Sequence, residues 1–265
     1  MDFHLKDKVV LVTGSGEGIG RQAIRMFAEE GAHVIVNDII ADKADQVAAE
    51  AKTLGVESLS IAADVTQPEE VGKMAAKIFQ KFGKLDVLVN NAFAWDKKPF
   101  SQSLREEWGP PIDVCLLGTL YCCHAVIHSM ISQKYGKIIS VASDAGRVGE
   151  KNSPIYSAAK AGVIALSKSL AREVGQYNIN VNCVSAGATR TERRIREQQE
   201  ERERANEKER ERILRRDQAQ LKLYPLGRLG EPEDVAAMIV FLASDRAKHI
   251  TGQVISVNGG YSMVS

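Results

Sequence analysis

The sequence predicts a single α/β domain built on a doubly wound, mainly parallel β-sheet. Seven short runs rich in β-branched residues recur along the 265 residues, and a helical pattern follows most of them. Strands that alternate with helices through short connections are expected to be parallel and joined by right-handed crossovers. No change in composition marks a boundary, so we expect residues 1–265 to form one domain.

The seven strand candidates are almost continuously apolar, as strands covered by helices on both faces should be. They are residues 8–13, 33–38, 58–63, 85–90, 137–142, 179–184 and 253–258. The first helical pattern, "IGRQAIRMFAEEG", places Ile19, Ala23, Met26 and Phe27 on one face, and Gly31 provides a stop signal.

Residues 189–220 interrupt this alternation, because they contain almost no apolar side chain before Ile213. Some opposite charges fall four residues apart, which favours a solvated helix, although Lys208 and Arg212 place like charges at the same spacing. The favourable pairs are Glu192–Arg196, Glu200–Arg204 and Glu211–Arg215. We expect an elongated, charged helical insertion on the surface.

The composition argues against several classes of partner. The net charge of +1 gives no global field for nucleic acid or a membrane surface, and no apolar run is expected to reach membrane-spanning length. The N-terminus lacks the pattern of a secretory signal. The cysteines have no metal-ligand spacing, so we expect no metal site and interpret them as reduced thiols in a cytoplasmic protein: Cys115, Cys122, Cys123 and Cys183.

The motif "TGSGEGIG", residues 13–20, follows the first strand and opens the first helix. Its glycines allow a sharp turn and a close approach of the backbone to a diphosphate, and the N–H groups of the helix start point towards it. An acidic residue at the end of the next strand completes the dinucleotide fingerprint. The loop residues assigned to the cofactor are Gly14, Ser15, Glu17, Gly18, Ile19 and Gly20.

The acidic residue is Asp38, eighteen positions after Gly20. Its carboxylate can accept the ribose hydroxyls of adenosine and would repel a 2′-phosphate, and Glu17 adds negative charge, so the sequence favours NAD over NADP. A helix cap or loop acid is the alternative for Asp38. Asp64 and the backbone N–H of Val65 are expected near the adenine, although an acidic residue before a helix is commonly a cap.

Tyr156 and Lys160 stand one helical turn apart in "SPIYSAAKAG". Tyrosine is a weak base near neutrality, and a neighbouring ammonium can lower its pKa by about 1–3 units. Ser143, just after a strand, can polarise the same substrate oxygen. The sequence therefore predicts a proton-transfer site composed of Ser143, Tyr156 and Lys160.

These motifs resemble the short-chain dehydrogenase/reductase family in its shorter, non-extended type. The resemblance covers residues 7–262 and includes the glycine motif, "NNA" at 90–92, Ser143, the Y-x-x-x-K of residues 156–160 and the C-terminal "GRLGEPEDV" segment. It implies a seven-stranded Rossmann sheet, hydride transfer with a nicotinamide, and a homotetramer or dimer built on two long central helices. It also implies that Lys160 binds the nicotinamide ribose.

The resemblance carries further residues over to the cofactor cleft. Asn90 and Asn91 are expected to tie the fourth strand to its neighbours and to line the cleft. The residues that the resemblance assigns to cofactor binding in this part of the chain are Asn91, Ala92, Gly187, Thr189 and Thr191.

Three positions depart from the family pattern. Phe93 replaces the usual glycine after "NNA", and Ala186 replaces a common proline. Cys115 occupies the position of the fourth catalytic residue, an asparagine that helps to hold a water chain to the lysine. Cysteine keeps the main-chain carbonyl and loses the amide, so we expect a weakened but functional proton relay.

The substrate is the least determined part of the prediction. The resemblance places the substrate lid in the interval that the charged residues 189–220 occupy. Arginine suits phosphate and carboxylate, and Arg190, Arg193 and Arg194 begin this segment, next to the expected cleft. Asp144 and Arg147, beside the catalytic serine, resemble the family branch that acts on cyclic or β-hydroxyacyl-CoA thioesters; a surface ion pair is the alternative for Arg147. A free aromatic or alicyclic alcohol, a steroid or sugar alcohol and a bulky aromatic ketone remain alternative substrates.

The change at Cys115 also allows a different class of function, a weakly active or inactive subunit that assists an active homologue. Retention of Ser143, Tyr156, Lys160 and the glycine motif favours an enzyme. An epimerase or dehydratase is less favoured, because the extended relatives need a substrate domain for which 265 residues leave no room.

Overall fold

The computed structural model describes residues 2–264, which form one parallel sheet of seven strands with helices on both faces. The strand order is β3-β2-β1-β4-β5-β6-β7. All seven predicted strands are confirmed, with ends shifted by up to two residues. The strands are β1 (Val9–Val12), β2 (His33–Asp38), β3 (Ser58–Ala62), β4 (Val87–Asn90), β5 (Gly136–Ser143), β6 (Ile179–Ala186) and β7 (Val254–Val257).

Helices connect the strands and cover the sheet. They are α1 (Gly18–Glu29), α2 (Ala41–Lys52), α3 (Pro68–Phe82), α4 (Gly109–Ile112), α5 (Gly118–Gln133), α6 (Ala145–Val148), α7 (Pro154–Val174), α8 (Glu192–Arg204), α9 (Glu207–Leu221) and α10 (Pro232–Ala243). A π-helical turn, Asp113–Leu117, joins α4 to α5, and short 3₁₀ turns lie at Phe100–Gln102, Arg105–Trp108, Gly175–Tyr177 and Asp245–Ala247.

The core is divided by the sheet, because successive strand side chains point to opposite faces. Val10 and Val12 pack with α1, α2 and α10 on one face. Val9 and Leu11 pack with α3, α5 and the C-terminal end of α7 on the other. Burial on both faces explains why each strand is a continuous apolar run in the sequence.

One helical stretch, Arg105–Gln133, is long and apolar enough to cross a membrane by length and composition alone. The expectation that no apolar run reaches that length was therefore wrong. Its main helix, α5, packs against α3, β4 and β5 and buries Cys122, Val126 and Met130 in the core. The apolar character of α5 thus has a cause within the fold, and core helices commonly pass the same test.

The charged segment forms a helical hairpin, α8 and α9, which we call the lid hairpin (residues 192–221). Thr191 caps α8, and Asn206 with Glu209 forms a capping box that starts α9, so the segment breaks between the two helices. Cross-helix ion pairs join them: Arg202–Asp217 at 2.9 Å and Arg216–Glu201 at 2.7 Å. A hairpin therefore replaces the single surface helix that the charge pattern suggested.

Two of the three predicted intrahelical pairs form, Glu200–Arg204 at 3.1 Å and Glu211–Arg215 at 3.5 Å. Glu192 and Arg196 are instead used between elements. The Gly18 N–H donates to Glu192 at 2.9 Å, and Arg196 pairs with Glu17 at 2.8 Å. The lid hairpin is thus joined to the loop that follows β1.

The strand order reverses direction between β1 and β4, which creates a crevice at the carboxyl ends of the strands. The loops after β1, β2, β4, β5 and β6 converge on this edge. The residues predicted to be functional lie in these loops or in the strands and helices next to them, except Asp64 and Val65, which follow β3.

Candidate active site

The glycine loop, residues 13–20, brings the backbone of β1 close to β4. Gly14 and Gly18 adopt positive φ angles of 59° and 61°. A Cβ on Gly14 would lie 2.7 Å from the Ala92 Cα, and one on Gly20 would lie 2.6 Å from the Asn91 Nδ2. The loop thus needs glycine for both conformation and space, and it leaves an open cradle at the start of α1.

A cavity of about 410 Å³ extends from this loop to the catalytic candidates. The predicted cofactor residues that line it are Gly14, Glu17, Gly18, Ile19, Asp38, Asp64, Val65, Asn91, Ala92, Tyr156, Lys160, Gly187, Thr189 and Thr191. Ser15 and Gly20 do not line it. The Ser15 hydroxyl donates to the Val12 carbonyl at 2.8 Å, and Gly20 packs closely against Gly14, Ser15 and Asn91. Ser15 and Gly20 therefore support the turn on the side away from the cavity.

The two asparagines after β4 have different positions. The Asn91 side chain donates to the carbonyls of Thr13 at 2.9 Å and Gly14 at 2.8 Å, and it faces the cavity. Asn90 donates to the Ser140 hydroxyl and the Cys123 sulfur, both at 3.4 Å, below the cleft. Both residues therefore tie β4 to its neighbours as expected, but only Asn91 lines the cavity.

Asp38 lies at the end of β2 with both carboxylate oxygens engaged. It accepts from the Gly16 N–H at 2.9 Å and from the Ile40 N–H at 3.0 Å. The carboxylate therefore joins the glycine loop to the start of α2 while it faces the cavity. The cofactor and structural interpretations of Asp38 are both compatible with this geometry.

Sequence reasoning missed Lys43, which lines the same part of the cavity. Its Nζ lies 2.8 Å from the Glu17 Oε2, and Arg196 reaches that oxygen at 2.8 Å from the lid hairpin. The paired cations hold the pKa of Glu17 below its ordinary value, although burial opposes them. A lysine in the first turn of α2 is the signal that would have predicted it, since helical side chains lean towards the N-terminus.

Tyr156 and Lys160 project from α7 towards the end of β5. The buried Lys160 Nζ donates to the Val141 carbonyl at 2.6 Å and lies 5.7 Å from the centroid of the Tyr156 ring. Ser143 lines the cavity beside them. The three predicted catalytic residues thus meet at one point of the cleft.

Burial raises the pKa of the Tyr156 phenol above its ordinary value, although the charge of Lys160 acts in the direction that the sequence predicts. The charge of Lys160 and a hydrogen bond with Ser143 act in the opposite direction, and together they offset only part of the burial effect. The sequence showed the ammonium but not how completely the ring would be enclosed.

Cys115 lies in the π-helical turn before α5 and is fully buried. Its carbonyl accepts from the Thr119 hydroxyl at 2.7 Å, and its thiol donates to the Ala94 carbonyl at 3.4 Å. It does not line the cavity, yet it is near enough to raise the pKa of Tyr156 slightly. The weakened relay remains a prediction.

The loop after β4 contributes residues that sequence reasoning missed. The Trp95 indole N–H donates to the Ser153 hydroxyl at 2.7 Å, and its ring lies 6.4 Å from that of Tyr156. Asp96 accepts from the Tyr156 N–H at 2.8 Å and so caps the catalytic helix, whose own first residue offers no side-chain cap. The two residues are sixty positions apart in the sequence, so no local pattern predicts the contact.

Phe93, Arg193 and Arg194, among the predicted substrate residues, line the cavity. The Arg193 guanidinium lies 5.4 Å from the Phe93 ring centroid and pairs with Glu197 at 2.8 Å. Trp95 and Val114 extend the apolar wall beside Tyr156. This end of the cavity is therefore aromatic and cationic.

Asp144, Arg147 and Arg190 do not line the cavity, and each makes contacts elsewhere. The buried Asp144 accepts from the Ser185 hydroxyl at 2.7 Å and from Asn258 at 2.6 Å, because the chain turns beneath β6 and β7 after Ser143.

Arg147 follows the same turn away from the cleft and donates to the Ser256 hydroxyl at 2.6 Å and the Val264 carbonyl at 3.0 Å. Arg190 pairs with Glu231 at 3.1 Å. Both arginines, like Asp144, therefore support the structure around the C-terminal segment and the base of the lid hairpin.

Comparison with known proteins identifies the family. Residues 14–262 match the family model described as enoyl-(acyl carrier protein) reductase. The chain belongs to the short-chain dehydrogenase/reductase family. It is therefore an oxidoreductase of a family that generally uses a nicotinamide cofactor, and its members act on small molecules such as acyl thioesters.

Two curated relatives match almost end to end. A 3-oxoacyl-[acyl-carrier-protein] reductase FabG of Thermotoga maritima is 38% identical over 260 residues, covering 97% of this chain and 99% of the relative. The (2S)-[(R)-hydroxy(phenyl)methyl]succinyl-CoA dehydrogenase subunit BbsD of Thauera aromatica is 36% identical over 260 residues, covering 98% of each.

A solved structure confirms the fold. The short-chain type dehydrogenase/reductase from Mycobacterium marinum superposes with a TM-score of 0.88 at 30% identity, covering 99% of this chain and 98% of that one. The predicted family and its seven-stranded Rossmann sheet are thus confirmed.

Proposed function

We propose that this enzyme is an NAD-dependent dehydrogenase that interconverts a secondary alcohol and a ketone on a hydroxyacyl-CoA thioester. The observation that carries the proposal is the convergence of Ser143, Tyr156 and Lys160 with the glycine loop in one cavity. The relatives named above act, by their names, on acyl thioesters, one on an acyl-carrier protein and one on coenzyme A.

The residues present fit a dinucleotide. The cavity reaches the start of α1 at Gly14 and Gly18, whose positive φ angles turn the backbone there, and a diphosphate would lie at this point. Asp38, Asp64 and Val65 line the cavity, where Asp38 would meet the adenosine ribose and the other two the adenine. Lys160 and Asn91 border the nicotinamide end, where the bound ring would give or accept the hydride.

NAD is supported over NADP by the charges at the adenosine end. The Asp38 carboxylate would repel a 2′-phosphate. The two nearby cations, Lys43 and Arg196, are both paired with Glu17 at 2.8 Å, so neither is free to offset that repulsion. Glu17 thus strengthens the preference by engaging the cations.

The catalytic residues have separate tasks in alcohol oxidation. The Ser143 hydroxyl donates to the substrate oxygen and holds it beside the Tyr156 oxygen. The phenolate of Tyr156 takes the hydroxyl proton as the hydride leaves the carbon, and it returns the proton in ketone reduction. The ammonium of Lys160, oriented by the Val141 carbonyl, stabilises that phenolate.

The aromatic wall supports a ring-bearing acyl group. Phe93, which replaces the glycine usual in the family, and Trp95, whose ring lies 6.4 Å from that of Tyr156, both line the cavity. The BbsD relative is named for a substrate with a phenyl group on the hydroxyl-bearing carbon. A free aromatic or alicyclic alcohol would use the same wall and is the alternative substrate.

Reduction of a 3-oxoacyl-carrier-protein thioester is the second candidate, favoured by identities of 38% and 39% to reductases of that name. The discriminating assay compares NAD⁺ and NADP⁺ with 2-[hydroxy(phenyl)methyl]succinyl-CoA, a 3-hydroxyacyl-CoA, the corresponding acyl-carrier-protein thioester and free alcohols. Activity confined to carrier-protein thioesters with NADP⁺ would replace the main proposal by the second. Activity confined to free alcohols would remove the thioester.

A partner subunit without activity is the remaining alternative. It predicts NADH binding without turnover across that panel, whereas the proposed enzyme turns over at least one member. The BbsD relative is itself called a subunit. A mixed assembly is therefore tested by whether purified chain alone is active.

We also propose a homotetramer or homodimer through α5 and α7. Only 39% of the apolar window within Arg105–Gln133, the stretch that contains α5, is buried among the described residues, and Leu120 of α5 is exposed. Sedimentation of the purified protein tests this, and a monomer at micromolar concentration would contradict it. A cytoplasmic location remains a prediction.

A further inference from the structure

Among the described residues, Arg194 differs from the other arginines at the base of the lid hairpin because its guanidinium forms no direct ion pair. Its Nη2 donates to the Gln220 Oε1 at 2.8 Å, while its Nε is buried without a hydrogen-bond partner. Among residues 2–264, no carboxylate oxygen lies within 4.0 Å of the guanidinium. Arg194 is partly buried, and the carboxylates of Asp217 and Glu197 act on it only from beyond ion-pair distance. A buried N–H donor without an acceptor is costly, which favours a partner that residues 2–264 do not supply.

The neighbouring arginines are all paired. Arg190 reaches Glu231 at 3.1 Å, Arg193 reaches Glu197 at 2.8 Å and Arg196 reaches Glu17 at 2.8 Å. These three side chains are at least 45% exposed, whereas burial is sufficient to lower the pKa of Arg194 from its ordinary value. The least hydrated arginine is thus the one without a carboxylate.

The position of Arg194 on α8 separates it from the glycine loop. Glu192 and Arg196, about 40° apart around the helix, contact Gly18 and Glu17 of that loop. Arg194 lies about 200° from Glu192 and points towards Gln220 of α9. It nevertheless lines the cavity that contains Tyr156. An anion held by Arg194 would therefore belong to the substrate rather than to the cofactor diphosphate.

We propose that Arg194 binds a free carboxylate of the substrate. The preferred substrate then carries three features: the reacting hydroxyl at Tyr156, an aromatic or alicyclic group against Phe93 and Trp95, and a second carboxyl group beside the thioester. The identity of the thioester rests on the proposed function, but the carboxylate follows from the unmatched guanidinium. The phosphates of coenzyme A are the other available anions, and the experiment separates them from the carboxylate.

The kinetic experiment compares 2-[hydroxy(phenyl)methyl]succinyl-CoA with the methyl ester of its free carboxyl group, in the wild type and in Arg194→Met. We expect Arg194→Met to lower kcat/KM for the free acid by about 10- to 100-fold, mainly through KM, as loss of one charged hydrogen-bonding partner predicts. The ester should change by less than about threefold, and Arg194→Lys should restore part of the activity on the acid. An equal loss on both compounds would assign the anion to coenzyme A or the effect to folding, and it would overturn the proposal.

A binding measurement keeps this test independent of the proposed reaction. Calorimetry of benzylsuccinate and of its dimethyl ester is performed on the enzyme saturated with NADH, in the wild type, Arg194→Met and Arg204→Met. Arg204 lies in the same helix, is 80% exposed and pairs only with Glu200. We expect the diacid to bind more tightly than the diester in the wild type and in Arg204→Met, but not in Arg194→Met.

The two proposals fail separately. If neither thioester is oxidised but benzylsuccinate binding depends on Arg194, the thioester reaction is wrong and the carboxylate site stands. If the thioesters are oxidised but esterification and Arg194→Met make no difference to affinity, the carboxylate site is wrong and the reaction stands.

Discussion

The two halves of the cleft are held together in different ways. In the cofactor half, Asn91 and Asp38 bind backbone groups of the strands and turns next to them, at 2.8–3.0 Å. In the substrate half, the lid hairpin is held by ion pairs between partly exposed side chains, such as Arg216–Glu201 and Arg202–Asp217. The cofactor half is held by hydrogen bonds to the backbone, whereas the substrate half is held by ion pairs in contact with water. We therefore expect mutations in the two halves to change activity and the free energy of unfolding by different amounts.

The largest loss of activity should follow from a change at Tyr156, which lies between the cofactor half and the substrate half of the cleft. Replacing Tyr156 by Phe removes the only proton-transfer group that we assign to the substrate oxygen, so kcat should fall by about 10²–10⁴-fold. NADH affinity, measured by fluorescence titration, should change far less than kcat, because the glycine loop and Asp38 keep their contacts. Retention of more than half the wild-type kcat would withdraw Tyr156 as the acid–base group.

The pH dependence of alcohol oxidation tests whether burial raises the pKa of Tyr156. Burial raises the pKa of Tyr156, and alcohol oxidation needs the phenolate, so kcat/KM for oxidation should rise about tenfold per pH unit while the pH is below that pKa. Ketone reduction needs the neutral phenol and should stay level over the same range. Lys160→Met should move the oxidation profile to higher pH, since the ammonium favours the phenolate.

The cofactor half should be sensitive to charge at the adenosine end. Asp38→Ser should increase the ratio of kcat/KM for NADP⁺ to that for NAD⁺ by about 10- to 100-fold, because a like-charge contact with the 2′-phosphate is removed.

Glu17→Gln should raise the same ratio by a smaller factor, since it releases Lys43 and Arg196 from their shared carboxylate. Lys43→Met in the Glu17→Gln background is the control, and it should lose part of the gain. Initial rates with both cofactors measure the ratio; no change in either single variant would contradict the electrostatic basis of the preference.

Stability measurements compare the halves directly. Asn91→Ala leaves two backbone carbonyls without their donor, so urea unfolding should show a loss of about 1–3 kcal/mol in the free energy of unfolding. Arg216→Gln breaks a bidentate but half-exposed pair and should cost less than about 1 kcal/mol, and this cost should shrink in high salt. The reverse order would show that the lid hairpin, not the glycine loop, is the firmer half.

The local structure of the cofactor half could be predicted from the sequence because each of its features depends on a short stretch of the chain. A buried parallel strand is an uninterrupted apolar run, and the glycines of the loop are imposed by a positive φ at Gly14 and a close approach at Gly20. The Tyr156–Lys160 spacing is a property of one helix. Each of these features can be recognised without knowing what lies across the cleft.

The substrate half was predicted less well because its contacts join distant parts of the chain. Asp96 caps a helix sixty residues away, and Asp144 turns under the sheet to Asn258, 114 residues on. Glu192 and Arg196 have the spacing of an intrahelical pair, but each finds a partner in the glycine loop. The raised pKa of Tyr156 likewise reflects enclosure by several elements, which no single stretch of sequence encodes.

The contact of Glu192 with the Gly18 N–H has a consequence for the order of events in catalysis. A carboxylate there and a dinucleotide diphosphate would compete for the same positive end of α1. Binding of the dinucleotide would therefore break the hydrogen bond between Glu192 and Gly18 and loosen the lid hairpin. The acyl substrate could then enter the cleft. The enzyme is thereby expected to follow a compulsory sequence in which the nucleotide associates first and dissociates last.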